Sequence, residues 1–273
     1  MAQDAESVLQ IFNIVGVKFP LRLLNSTKVP PECDPTIFKS MALHILCTYA
    51  SVSELACHTD LLQILPRFLS LLTEFAHISE YPHFIHDVLQ YLSAVSCTAE
   101  GRALLLRDGV TTFADIISVG HEKVISKIIP IMMYLLSSEI QYNILCSSST
   151  ILHLIRKLTA CFYTRQDALK FELCEVLVVF LESISLLPPS SMARKVLEPS
   201  SEIDVSLNAF LPPSSTVSMN ADWVVNIALT IQQLIQNKLG PVFRNKVLRL
   251  CALLTELFGV QWMLRYLSFL SFF

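Results

Sequence analysis

Residues 99–117 read Ala-Glu-Gly-Arg-Ala-Leu-Leu-Leu-Arg-Asp-Gly-Val-Thr-Thr-Phe-Ala-Asp-Ile-Ile, a pattern that admits little besides two short helices meeting at a corner. Leu105 and Leu106 close the first helix, and Asp108-Gly109 forms the corner, with Gly109 expected at the positive φ that a sharp stop requires. Val110, Phe113 and Ile117 then open a new apolar stripe at three- and four-residue steps. One such unit cannot bury both of its faces, so it demands neighbours of the same kind.

The chain supplies them. Leu62, Leu65 and Leu69 repeat the spacing of Val110, Phe113 and Ile117 at an offset of 48 residues, and Ile151, Leu154 and Leu158 repeat it at 41, after a serine run at 147–149. Recurrence at roughly 40 to 47 residues with only helical signals between predicts an all-α armadillo or HEAT-like right-handed solenoid of about four to six repeats. Strands are argued against by the six isolated glycines and by the absence of alternating apolar runs across an Asn-Gly or Gly-Gly turn.

Punctuation along the chain places the helices. Asp34 can cap a helix that has Pro35 in its first turn and carries Ile37, Met41, Ile45 and Thr48 on one side. Asp60 is expected to cap the run containing Leu61, Leu65, Phe68 and Leu72, where Pro66 marks either a kink or a restart. Pro82 opens a helix with Ile85, Val88, Leu89, Leu92 and Val95 inward. Val124, Ile125, Ile128, Ile129, Met132, Leu135 and Leu136 are apolar around much of a helix that Pro130 is expected to bend. A broad stripe of Leu173, Val176, Leu177, Phe180, Leu181 and Ile184 marks the longest clean helix.

After Leu187 the composition changes to Pro188-Pro189-Ser190-Ser191 and, later, Pro212-Pro213-Ser214-Ser215. The expected organisation is therefore an N-terminal helix and linker over 1–35, armadillo-like repeats over 36–187, a Pro/Ser-rich insertion over 188–221 and a last segment of the same solenoid over 222–273. That segment is read as a helix with Val224, Ala228, Ile231 and Ile235, then one opening at Pro241 with Val247, Leu248, Cys251, Leu254 and Leu257. The apolar run 262–273 lacks the wettable face an end repeat needs, which is the expectation for a truncated array.

Hydrophobic residues make up 53% of the chain and charged ones 16%, and mean hydropathy is +0.54. Long uncharged runs such as 40–53, 205–221 and 223–237 fall short of the roughly 18 apolar residues of a transmembrane helix. Acidic residues stand where a secretory signal would carry basic ones, and the eight scattered cysteines, Cys33, Cys47, Cys57, Cys97, Cys146, Cys161, Cys174 and Cys251, form no Cys-x-x-Cys pair. They read as reduced, mostly core, thiols of a cytosolic protein. With net charge −3, nucleic acid is not the expected partner, and the basic stretch 238–249 reads as a solvated helix face.

Candidate chemistry has plain explanations. His83 and His86 are two imidazoles in an exposed first turn, without a third metal ligand or a His-Glu-x-x-His pattern. His58 and Asp60 evoke a base beside Cys57, yet Asp60 reads as a cap and Cys57 as core. Glu172 and Glu175 read as a solvated pair. No phosphate-cradling glycine loop or nucleophile elbow occurs. No catalytic, cofactor-binding or metal-binding residue is assigned.

His86-Asp87-Val88-Leu89-Gln90-Tyr91-Leu92, followed by Ala99-Glu100-Gly101-Arg102 and Asp108-Gly109-Val110, and preceded by Lys39-Ser40-Met41-Ala42-Leu43-His44-Ile45-Leu46 and Ser53-Glu54-Leu55-Ala56, resembles the neurochondrin family. Asp167-Ala168-Leu169-Lys170-Phe171-Glu172 and Leu257-Phe258-Gly259-Val260-Gln261-Trp262 stand in the expected order, so the resemblance spreads over most of residues 36–265. It implies an armadillo-like cytosolic protein without catalytic activity, found in neuronal projections of animals and associated with neurite outgrowth and regulation of kinase signalling. Some members carry acylated cysteines at the extreme amino terminus, a feature not transferred to a chain whose first cysteine is Cys33.

Three functions are thus on the table. The first is a scaffold binding other proteins, with no cofactor. The second is a peripheral membrane adaptor, motivated by the hydropathy and the apolar carboxyl end. The third is a small helical enzyme with a site in a repeat groove.

Overall fold

The computed structural model describes residues 2–25, 34–78, 83–137, 148–164, 167–188, 190–191, 231 and 241–258. Every regular element among them is a helix, as the periodicity requires. The chain divides into two compact units, one up to Leu135 and one from Leu136 onward.

The first unit begins with α1 (Ala2–Val15) and α2 (Lys18–Leu24), joined through Gly16 at φ 60°, a conformation that side chains with a Cβ rarely adopt. Both lean on α3 (Pro35–Ala50). Asp34 caps α3 as expected: its backbone is extended and its carboxylate accepts from the Thr36 N–H at 2.8 Å, with Pro35 in the first turn. The face of α3 that is buried differs from the one expected. Ala42, Leu43, Leu46, Cys47, Tyr49 and Ala50 face inward, whereas Ile37 is 56% exposed and Met41 54%. In a helix this rich in apolar residues the neighbours, not the spacing, select the stripe.

Two single-turn helices follow, α4 (Ser53–Ala56) and α5 (Thr59–Leu62), and then α6 (Leu65–Phe75). The cap of α5 is His58, whose Nδ1 accepts from the Asp60 N–H at 3.3 Å; Asp60 sits inside the first turn instead of before it. Pro66 lies in the first turn of α6, so the chain restarts there. Leu61, Leu65, Phe68 and Leu72 are all buried.

The next helix, α7 (Phe84–Ser96), packs antiparallel to α6, with Phe75 against Phe84 at one end and Phe68 stacked on Tyr91 at the other. Its expected inner residues, Ile85, Val88, Leu89, Leu92 and Val95, are buried. Pro82 lies outside the described residues.

The corner expected at Asp108-Gly109 is absent. α8 (Ala99–Leu104) passes through a π-helical turn (Leu105–Gly109) into α9 (Val110–Val119), and Gly109 has φ −94°. The Val110 N–H donates to Leu105 O, five residues back, which places one extra residue in the turn. That residue lets Leu105, Leu106, Val110, Phe113, Ala114 and Ile117 all reach the core, where each is fully buried. Burial on both sides of the glycine outweighs its local tendency to stop a helix.

α10 (Glu122–Leu136) is buried around much of its circumference, from Val124 and Ile125 to Leu135 and Leu136, and runs unbroken through an exposed Pro130. Each fully buried Leu or Ile of this kind stabilises the fold by about 1.5–3 kcal/mol over an exposed one.

The second unit holds α11 (Ser148–Thr164), α12 (Asp167–Ser185) and α13 (Pro241–Phe258). α12 is the longest described helix at 19 residues, and its predicted stripe is buried throughout. On α13 the inner residues are Phe243, Val247, Leu250, Cys251, Leu253 and Leu254, whereas Leu248, expected inward, is 58% exposed. The isolated Ile231 is buried; Val224, Ala228, Ile235 and most of the Pro/Ser-rich stretch lie outside the described residues.

Three contacts join segments at nearly one separation. His44 Nδ1 lies 3.2 Å from Asp87 Oδ1, the His121 N–H donates to Ala76 O at 2.7 Å, and Ser183 Oγ donates to Leu136 O at 2.6 Å, in pairs 43, 45 and 47 residues apart.

Candidate functional site

His58, Asp60, His83, His86 and Glu175, singled out from the sequence, each have a structural partner or face solvent. His58 does local work. Besides capping α5, its ring meets Phe12 edge-on at 4.9 Å, and Phe12 also meets Tyr49 at 5.2 Å, so the histidine helps seat α1. Its Nδ1, acting as an acceptor for a backbone N–H, stands 4.0 Å from the Asp60 carboxylate. Cys57 is exposed rather than core, and its thiol donates to Glu54 O at 3.5 Å. The three neighbours do not form a nucleophile and base.

His83, just before α7, and His86, in its first turn, are both exposed, as expected of a solvated helix start. Among the described residues no group of three His, Cys, Asp or Glu side chains could hold a metal ion. The partner that sequence reasoning missed is Asp87, which faces His44 on α3. The 43-residue separation, close to the repeat period, is the signal that could have found it.

The acidic and basic stretches were read as separate solvated faces, and the structure brings them together. Glu175 pairs with Lys246 and Glu182 with Arg249, joining α12 to α13. The Lys246 ammonium also lies 3.9 Å from the centre of the Phe171 ring, which in turn packs on Phe243 at 5.4 Å. Arg244 remains exposed, and Lys238 lies outside the described residues. The order Phe171–Phe243, Glu175–Lys246, Glu182–Arg249 means that the two helices run in the same direction. A carboxylate committed to a lysine that itself lies over an aromatic ring is a brace between helices, not a general base.

In the first unit, Arg102 of α8 reaches α10, where its guanidinium donates to Tyr134 Oη at 2.6 Å and lies 4.5 Å from the centre of that ring. The outward edges of α6 and α9, which adjoin, carry Arg67, Ser70 and Glu74 on one helix and Thr112, Asp115 and Val119 on the other. Apart from the exposed Val119, this ridge is polar and mixed in charge.

Cys33 and Cys146 lie outside the described residues, and the described thiols fall into two groups. Cys47, Cys161, Cys174 and Cys251 are buried, whereas Cys57 and Cys97 are exposed at helix ends. Native-state alkylation followed by peptide mass spectrometry is therefore expected to modify Cys57 and Cys97 at least tenfold faster than the four buried thiols, which react only on unfolding; equal rates would contradict this packing. Burial pushes Cys47 and Cys174 up to about 12 and Cys251 up to about 11, from 9.0. The fold thus prefers these thiols protonated. Their contribution to stability is full below about pH 9, where unfolded thiols begin to ionise, and drains away as pH rises towards the folded values. The urea midpoint is expected to fall between pH 8 and pH 10.5; a flat profile would contradict it.

Fold and surface together define an all-α protein in which, among the described residues, no nucleophile, base and electrophilic donor converge. A family model for neurochondrin matches residues 2–200. Among curated proteins, the chain is 25% identical to neurochondrin of Gallus gallus over 259 residues, covering 95% of this chain and 33% of that protein. It is likewise 25% identical to neurochondrin of Homo sapiens over 279 residues, covering 94% and 38%. Against the neurochondrin homolog of Drosophila melanogaster it is 22% identical over 258 residues, covering 92% and 32%. The chain belongs to the neurochondrin family. It spans about a third of the length of these relatives.

Proposed function

We propose that this chain is a non-catalytic scaffold whose helical repeats, stacked in the armadillo manner within each unit, bind other proteins. The observation that carries the reading is the recurrence of inter-helix contacts at 43, 45 and 47 residues, the period of an armadillo or HEAT repeat. Stacked repeats of this length present extended surfaces, and the polar ridge of α6 and α9 is the surface we assign to partner recognition. Family membership supports a role like that expected of neurochondrins, in neurite outgrowth and in regulating kinase signalling from the cytosol.

Affinity purification followed by reconstitution with the recovered protein tests this reading. A saturable complex, weakened when Arg67→Glu and Glu74→Arg are introduced together on α6, is the expected outcome. Hydrolase or transferase turnover that disappears on changing one side chain would overturn it.

A further inference from the structure

The amino-terminal elbow carries a surface that partner binding by the repeats does not use. Among the described side chains of α1, only Phe12 is buried, and α2 holds on through Pro20 and Leu24, with Val17 between them. Four apolar side chains are open to solvent around the elbow, flanked by the exposed Gln10 and Asn13: Ile11 is half exposed, Ile14 is 84% exposed, and Val15 and Phe19 are exposed beside them. Together α1 and α2 have the length and hydropathy of a membrane span, but they meet at 78°, so they cannot cross a bilayer as one rod. The bend instead gathers the apolar ends of both helices at one protruding corner.

Charge selects the occupant. Between residues 7 and 25 the only charged side chains are Lys18 and Arg22, and both are exposed on α2 next to Phe19. The acidic residues of α1, Asp4 and Glu6, lie near its other end. An apolar tip with two cations, and no acid between residues 7 and 25, matches the boundary between acyl chains and anionic headgroups. The elbow keeps that character although the whole chain carries net charge −3.

We propose that the α1–α2 elbow is a shallow membrane-contact element that inserts Ile14, Val15 and Phe19 at the surface of a bilayer containing anionic lipid, with Lys18 and Arg22 on the headgroups. The element lies outside the α6–α9 ridge, so the two readings stand or fall separately. An insertion this small gives weak, reversible binding that a second attachment would reinforce.

Flotation of the full chain with vesicles of phosphatidylcholine alone and of phosphatidylcholine with phosphatidylserine tests it. Binding to the anionic vesicles is expected, reduced by salt, with little binding to the neutral ones. Lys18→Gln with Arg22→Gln is expected to lower partition onto anionic vesicles about thirtyfold, at about 1 kcal/mol per lost cation. Ile14→Asp with Phe19→Asp should abolish binding while circular dichroism stays unchanged, because both side chains are exposed. Leu186→Asp, at an exposed apolar residue near the end of α12, should have no effect. The proposal is overturned if the unaltered chain does not float with anionic vesicles, or if the Ile14/Phe19 variant floats as well as it does. It is also overturned if the elbow instead drives a vesicle-free dimer, seen as a change in sedimentation that the same variant removes.

Discussion

Replacing Tyr91 by Ala is expected to destabilise the first unit by about 4 kcal/mol, the range for removing a buried aromatic ring. Tyr91 is fully buried on α7, its ring stacks on Phe68 with centroids 3.9 Å apart, and its hydroxyl donates to Leu61 O at 2.5 Å. The substitution removes the stack, empties the space and deletes the bond that ties α7 to α5. Tyr91→Phe separates these effects. It keeps the ring and loses only the hydroxyl, at a cost of about 1 kcal/mol, since Leu61 O still accepts from the Ile64 N–H at 3.1 Å. Urea unfolding followed by circular dichroism distinguishes the variants. Equal midpoints for Ala and Phe would mean that the ring packing contributes little, against the geometry described.

The second large effect is expected at Gly101. A Cβ there would lie 2.3 Å from Val95 O and 2.4 Å from Val95 Cγ1, distances no real Cβ adopts. The end of α7 must approach α8 this closely because Thr98 ties the two together. Its hydroxyl donates to Val95 O at 2.8 Å and accepts from the Gly101 N–H at 3.1 Å. Alanine would gain about 1 kcal/mol of helix propensity, but the forced shift of a backbone carbonyl costs more. A net loss of about 2 kcal/mol is expected, and Gly101→Val should be worse. A stabilised Gly101→Ala variant in the same urea measurement would contradict the packing of α7 on α8.

These two residues differ in how visible they were. Tyr91 falls inside a run whose apolar spacing already announced a helix, yet only Phe68 and Leu61, more than twenty residues away, make it a keystone. Gly101 stood in the stretch that organised the sequence reading, where Gly109 was expected to be the special glycine. Backbone geometry reverses their roles: Gly109 keeps a right-handed backbone inside the π-helical turn, and of the two it is Gly101 that leaves no room for a Cβ against backbone. Glycine in a sequence signals a conformational or a steric need, and which of the two depends on what approaches it.

The candidate sites divide in the same way. The exposed histidines of α7 were legible because polar residues in a first turn face solvent by default. The braces Glu175–Lys246 and Glu182–Arg249 were not, because each half looks like a solvated face until another helix is laid against it. The position of Cys57 at a helix end, exposed instead of core, followed from where α4 stops. The apolar elbow was not legible because residues 1–35 read as an N-terminal helix and a linker; only the burial of Phe12 shows which side is held and which is left open.

By itself the sequence determined that this protein is built from helices, roughly where each begins, and which family it resembles. Capping residues, prolines and three- or four-residue apolar steps act within a few positions of one another, and local interactions suffice to set them. Which face of α3 and α13 turns inward, whether residues 105–109 bend or run on, and which charges meet were decided only in the tertiary structure. Where a helix is apolar on more than one side, several faces could be buried at similar cost, and the choice belongs to neighbours that the chain brings up from 40 or more residues away.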